Sequence, residues 1–153
     1  MNSIAIAVHA LAATVWIGGL FFAYVVLRPS AAELDPPPRL VLWAGVFRRF
    51  FPWAWMSVLL LLTSGYWLLF SAFGGFASSP VYVHIMQLLG LTMIALFAWL
   101  FHRPYKVFKQ AVARQEWPDA GAALGKIRSI VGLNVILGVV MVIMVAAGRY
   151  GFQ

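Results

Sequence analysis

The sequence predicts an all-α integral membrane protein, a four-helix bundle that runs up-down-up-down with both termini on the outer, non-cytoplasmic side. Three observations predict it. Apolar residues make up 63% of the 153 residues and charged residues only 10%, whereas soluble domains carry about 25% charged residues. Four segments are long and apolar enough to cross a bilayer, and the basic residues are concentrated in two of the loops. We expect one transmembrane domain over residues 1–153.

The four spans are predicted at about residues 4–27, 52–73, 81–100 and 129–148, since about 20 helical residues cross the hydrocarbon core. The second span is expected to begin near Pro52, a proline well suited to a first helical turn. Residues 39–51 mix arginines with large apolar side chains. They form either a short helix lying in the headgroup layer or an early start of the second span.

The loops assign the direction of the spans. Ten of the eleven Lys and Arg residues lie in the loops after spans one and three, and the loop after span two has no charge. The positive-inside rule makes the basic loops cytoplasmic. This predicts a multi-pass protein of the inner, cytoplasmic membrane. Topology also accounts for the net charge of +7, so no nucleic acid is expected as a partner; the predicted partner is the lipid bilayer.

Two histidines lie at matching depth inside the predicted spans. His9 in span one and His84 in span three both lie close to the outer end, and the two helices run parallel. Diagonal helices of a bundle face each other across its core, so two imidazoles there can take the axial positions of a haem iron. The alternative is that each histidine is an ordinary interfacial residue.

Other outer groups complete the candidate site. Gln87 lies three residues after His84, Gly65 leaves space for a flat macrocycle, and Arg149 can pair with haem propionates. Two methionines of span four, Met141 and Met144, offer thioethers that suit Cu(I) as well as haem iron. No span contains Asp or Glu, so an enzyme here would depend on a cofactor.

Several short motifs carry a family resemblance. They are His9-Ala-Leu-Ala-Ala-Thr-Val-Trp16-Ile-Gly18-Gly19 in span one, Arg48-Arg49-Phe-Phe-Pro-Trp leading into a helix with Thr63-Ser-Gly65, His84 opening span three, and Arg128 followed by Asn134 at span four. The chain resembles CopD-like and HemJ-like membrane proteins over nearly its whole length.

The resemblance implies two different functions. HemJ-like proteins are haem-b-binding protoporphyrinogen oxidases, and their haem ligand would correspond to His9. The chain departs from that pattern after His84, where Ile-Met-Gln replaces an expected lysine, and after Asn134, where Val-Ile replaces Glu-Pro. CopD-like proteins are linked to copper resistance or uptake, and for them His9, His84 and the outer methionines would be copper ligands.

Three hypotheses therefore stand. The first is a haem-b protein with a redox or electron-transfer role, a possible membrane oxidoreductase taking electrons from a donor such as quinol. Its site would comprise His9, His84, Arg149, Trp16, Gly65 and Gln87. The second is a copper-binding or copper-transport protein that uses His9 and His84 as ligands. The third is a cofactor-free structural subunit, and a homodimer is compatible with all three.

Overall fold

The structure is a computed structural model that describes residues 1–150, the last two by their backbone alone. The described part is entirely helical and contains no strand. Its helices are α1 (Asn2–Phe21), α2 (Arg28–Ala31), α3 (Pro36–Ala72), α4 (Val81–His102), α5 (Pro104–Ala113) and α6 (Trp117–Tyr150), and a π-helical segment, Phe22–Leu27, joins α1 to α2.

Four helical stretches are long and apolar enough to cross a membrane. They are Asn2–Ala31, Pro36–Ala72, Val81–Ala113 and Trp117–Gly148. A helix rises 1.5 Å per residue, so even the shortest of them exceeds the roughly 30 Å of a hydrocarbon core. The predicted fold class of four membrane-spanning helices is confirmed, and the protein is a multi-pass membrane protein in contact with lipid. The side of the membrane that holds the termini stays a prediction.

Two span boundaries differ from the sequence prediction. Helix α3 is continuous for 37 residues with Pro52 inside it, so the early start is the correct alternative for residues 39–51 and the prediction of a helix beginning at Pro52 is wrong. Proline lacks an amide hydrogen, and here the helix continues through this lost hydrogen bond. Helix α6 begins at Trp117, about three turns before the predicted start of span four, and projects beyond the apolar segment.

The bundle has two chemically different ends. We name the end that holds Asn2, Ala72, Val81 and Gly148 the termini end, and the opposite end, rich in Lys and Arg, the basic end. Helix α1 packs mainly on α3, and α4 packs mainly on α6. At the termini end Ser71 Oγ donates a hydrogen bond to Asn2 Oδ1 over 3.0 Å, which ties the start of α1 to the end of α3.

Aromatic side chains fill the half of the bundle near the basic end. The rings of Phe51 and Tyr105 meet edge to face with centroids 4.6 Å apart, and Phe97 packs on Phe51 at 5.5 Å. Phe47 stacks on Phe51 at 5.1 Å. Offset or edge-on aromatic pairs in this range add about 0.5–1.5 kcal/mol each beyond their buried area. This packing connects α3 with α4 and α5 in the basic half of the bundle.

Candidate functional site

A cavity of about 100 Å³ lies in the termini half of the bundle, between α1, α3, α4 and α6. Its wall is mostly apolar. Four of the predicted site residues, His9, Trp16, Gly65 and Gln87, line it. A larger groove of about 470 Å³ lies at the basic end among α4, α5 and α6, and no predicted site residue lines it.

His9 is held in one tautomer by a serine of the neighbouring helix. Ser64 Oγ donates its only proton to the carbonyl of Leu60, one turn earlier in α3. The same oxygen lies 2.9 Å from Nδ1 of His9. Because the hydroxyl proton is already used, Ser64 can only accept from His9, so Nδ1 carries the hydrogen. In the neutral ring Nε2 then holds a free lone pair, which is the form that binds a metal ion.

Gly65 makes room for the imidazole. A Cβ atom on Gly65 would lie 3.1 Å from Cε1 of His9 and 3.6 Å from its Nδ1. This is closer than most side-chain contacts, so a larger residue would push the ring away from Ser64. The sequence predicts this space for a flat macrocycle; in the structure the ring of His9 occupies it.

Trp16 brings an unpaired hydrogen-bond donor to the cavity wall. It is 2% exposed, its ring meets Phe97 edge to face at 6.0 Å, and Nε1 has no hydrogen-bond partner among the described residues. Buried indole N–H groups normally find an acceptor. The indole N–H of Trp16 is therefore a buried donor without an acceptor, which costs stability locally.

Gln87 connects α4 to α3 across the cavity. Its Nε2 donates to the hydroxyl of Tyr66 over 3.1 Å, on the exposed side of the bundle. The Gln87 side chain therefore holds the two helices together where the aromatic core does not reach.

His84 does not lie on this cavity. Its side chain is exposed, while Val83 is buried and faces the cavity together with Met86 and Gln87. Successive residues of an α-helix are turned by about 100°, so the residue after Val83 points outward. The expected arrangement, in which His9 and His84 face each other across the core, is corrected on this point. Equal depth does not fix the direction in which a side chain points.

Two methionines share the cavity with His9. Met86 of α4 and Met141 of α6 both line it; Met86 was not among the sequence candidates, although it follows Val83 at helical spacing. Within the described residues no group of three or more His, Cys, Asp or Glu can hold a metal ion. His9 and the two methionines thus offer one imidazole nitrogen and two thioether sulfurs, a soft set that suits Cu(I).

A haem clamped by His9 and His84 does not fit these residues. The cavity is well below the 300–1,000 Å³ typical of pockets for drug-sized ligands, and one of the two proposed ligands lies on the outer surface. The side chain of Arg149, assigned to the propionates, lies outside the described residues. Neither haem b, nor a redox role, nor a quinol donor receives support from the structure.

Comparison with known proteins gives a family. No curated protein and no solved structure matches the chain. A sequence profile described as copper resistance protein D matches residues 44–148, which is more than half of the chain and runs from α3 to α6. The match does not extend to α1 and His9. Since it covers most of the bundle, the chain belongs to the CopD family of copper resistance proteins.

Proposed function

We propose that this protein handles copper at the membrane by binding Cu(I) in the cavity at the termini end. Nε2 of His9 and the sulfurs of Met86 and Met141 would be its ligands. The observation that carries the proposal is the pair of contacts that Ser64 Oγ makes, one to the carbonyl of Leu60 and one to Nδ1 of His9. Ser64 leaves the nitrogen that a metal needs without a proton, on the wall of a cavity that also holds two thioethers.

The donor set favours the reduced, monovalent ion. Thioethers are soft ligands that select Cu(I), and imidazole binds copper readily. No carboxylate lines the cavity, and oxygen ligands are what harder divalent cations prefer. A monovalent ion bound by neutral ligands also keeps the charge in a low-dielectric site small, which limits the desolvation cost.

The rest of the cavity supports such an occupant. The hydrogen bond between Gln87 and Tyr66 keeps α3 and α4 together while the wall remains apolar. The volume of about 100 Å³ suits an ion with a few waters, since one water occupies about 30 Å³.

We infer that copper is bound and released at the termini end rather than conducted through the bundle. The aromatic packing around Phe51, Phe97 and Tyr105 occupies the basic half, and an ion path would need polar groups or water there. From the basic loops we further infer that the termini end faces the non-cytoplasmic side of the inner membrane. The site would then serve copper outside the cytoplasm.

Cu(I) titration of the purified protein in detergent tests the proposal. A competing chromophoric Cu(I) chelator under reducing conditions reports the affinity. We expect one Cu(I) per chain, with binding lost in His9→Ala and weakened in Met141→Leu. His84→Ala is the matched control, and its affinity should equal that of the unmodified protein.

Three results would contradict the proposal. Equal weakening in His84→Ala and His9→Ala would place the metal elsewhere. A Soret absorption band in the purified protein would favour the haem-b hypothesis, and a protein that binds neither metal would favour a structural subunit.

A further inference from the structure

Three arginines from three different elements converge at the basic end. Arg28 opens α2, Arg39 lies in the first turn of α3, and Arg128 lies in α6. All three are half-buried. Arg28 and Arg128 line one small cavity together with Tyr24, and the Arg39 guanidinium is near enough for its positive charge to act on Arg128.

The π-helical segment positions one side of this arginine cluster. Phe22–Leu27 contains Tyr24, and π-helical turns occur frequently at functional sites. A Cβ on Gly132 of α6 would lie 2.8–2.9 Å from the ring and hydroxyl of Tyr24, so the phenol rests directly on the α6 backbone. Arg28 lies over the other side of the ring, with its Cζ 4.9 Å from the centroid. Tyr24 thus connects Arg28 to the helix that carries Arg128.

The cluster lacks a counter-charge. Nε of Arg128 is buried and has no hydrogen-bond partner among the described residues. The charged neighbours that act on Arg128 are the two arginines, and no carboxylate among the described residues is one of them. A buried donor without an acceptor costs about 1–3 kcal/mol, and more if the group is charged. Like charges held together add to this cost, and an anion beside the guanidinium groups would relieve their mutual repulsion.

The chemistry and the position of the cluster select a phosphate. Guanidinium groups match the oxygens of phosphate in paired hydrogen bonds. Arg28 and Arg128 flank the apolar segments of the first and last spans, the level at which lipid phosphates lie. Below them a cavity of about 20 Å³ has an almost wholly apolar wall, too small for a phosphate, so the anion would bind at the surface of the cluster.

We propose that Arg28, Arg39 and Arg128, together with the hydroxyl of Tyr24, bind the phosphate group of an anionic phospholipid. Basic pockets between membrane helices are a known way to hold anionic headgroups. This inference concerns the opposite end of the bundle from the copper site and does not depend on the proposed function.

Titration of the full-length protein with phosphatidylglycerol tests the assignment. The protein is held in a neutral detergent, phosphatidylcholine is the reference lipid, and bound lipid is counted by native mass spectrometry. We expect specific binding of phosphatidylglycerol that weakens about 10- to 100-fold in Arg128→Gln, the loss of one charged hydrogen-bonding partner. Arg39→Gln should weaken it similarly and provides a second variant should Arg128→Gln fail to fold.

Arg114→Gln is the matched control, since Arg114 is exposed at the end of α5 and the net charge changes equally. Equal weakening in Arg114→Gln and Arg128→Gln would overturn the proposal and indicate general attraction to a basic surface. Unchanged affinity in Arg128→Gln and Arg39→Gln would overturn it as well. If inorganic phosphate displaces phosphatidylglycerol from the unmodified protein but not from the arginine variants, the result would support the oxyanion site. It would also identify free phosphate as a ligand.

Discussion

The hydrogen bond between His9 and Ser64 gives the sharpest test of the copper site. Ser64→Ala removes the oxygen that lies 2.9 Å from Nδ1 of His9. It removes no other heavy atom, so the packing between α1 and α3 is otherwise unchanged. The ring loses the acceptor that fixes its tautomer and orientation. Nε2 then carries the hydrogen in part of the population, and that part cannot bind a metal.

The expected effect on copper is larger than the effect on the fold. Loss of a partner that orients a metal-binding histidine lowers metal affinity about 10- to 100-fold, which corresponds to roughly 1.4–2.7 kcal/mol. A hydrogen bond between membrane helices contributes about 0.6 kcal/mol to stability on average. Ser64→Ala should therefore weaken Cu(I) binding clearly while the protein unfolds at nearly the same temperature.

Chelator competition and thermal unfolding of the apoprotein measure the two quantities on one sample. Ser57→Ala is the control, because Ser57 is buried on the same helix one heptad earlier, whereas the hydrogen-bond partner of His9 is Ser64. It should bind Cu(I) with unchanged affinity. If Ser64→Ala binds Cu(I) as tightly as the unmodified protein, the reasoning from the tautomer of His9 is refuted.

Two glycines give further predictions. Gly65→Ala places a methyl group 3.1 Å from Cε1 of His9, so the same chelator competition should show weaker Cu(I) binding, and an affinity equal to that of the unmodified protein would contradict the packing. Gly132→Ala collides with Tyr24 and should lower the free energy of unfolding by about 1–3 kcal/mol in a detergent unfolding assay. Gly125→Ala, on the same helix, is the control: its new methyl group meets no atom within 4 Å, so it should stabilise the protein by about 0.5–1 kcal/mol. Destabilisation by both changes would refute the contact between Gly132 and Tyr24.

The spans could be predicted from sequence because hydropathy alone decides which segments enter lipid. Their ends could not, because the extra turns of α3 and α6 lie beyond the apolar segments, where propensity and tertiary packing decide. Pro52 shows the difficulty: prolines occur both at helix starts and inside helices that cross membranes. The sequence pattern does not separate the two positions.

The candidate site was predicted in part. His9, Trp16, Gly65 and Gln87 do share one cavity. The position of His84 was not predictable from its depth, since depth leaves the rotation of the helix undetermined. Once Val83 is known to be buried, the rotation of about 100° per residue places His84 on the outer surface of the bundle.

Ser64 was missed as a partner of His9, although it stands beside Gly65 in the Thr63-Ser-Gly65 motif. The missing side chain of a glycine leaves space for an aromatic ring from a neighbouring helix, and an adjacent serine can form a hydrogen bond with that ring. This relation depends on the contact between α1 and α3, which the sequence alone does not provide.

The π-helical segment Phe22–Leu27 has a consequence for how this chain is aligned with others. A π turn accommodates one residue more than an α turn, so deletion of a single residue there would leave a regular helix that still crosses the bilayer. Because the wide turn absorbs the extra residue, the helical parts on either side would keep nearly the same rotation relative to each other. His9 would then stay beside Ser64, and Arg28 would keep its place at the basic end. A one-residue gap at this segment in a relative is therefore compatible with the same packing at both ends of the bundle.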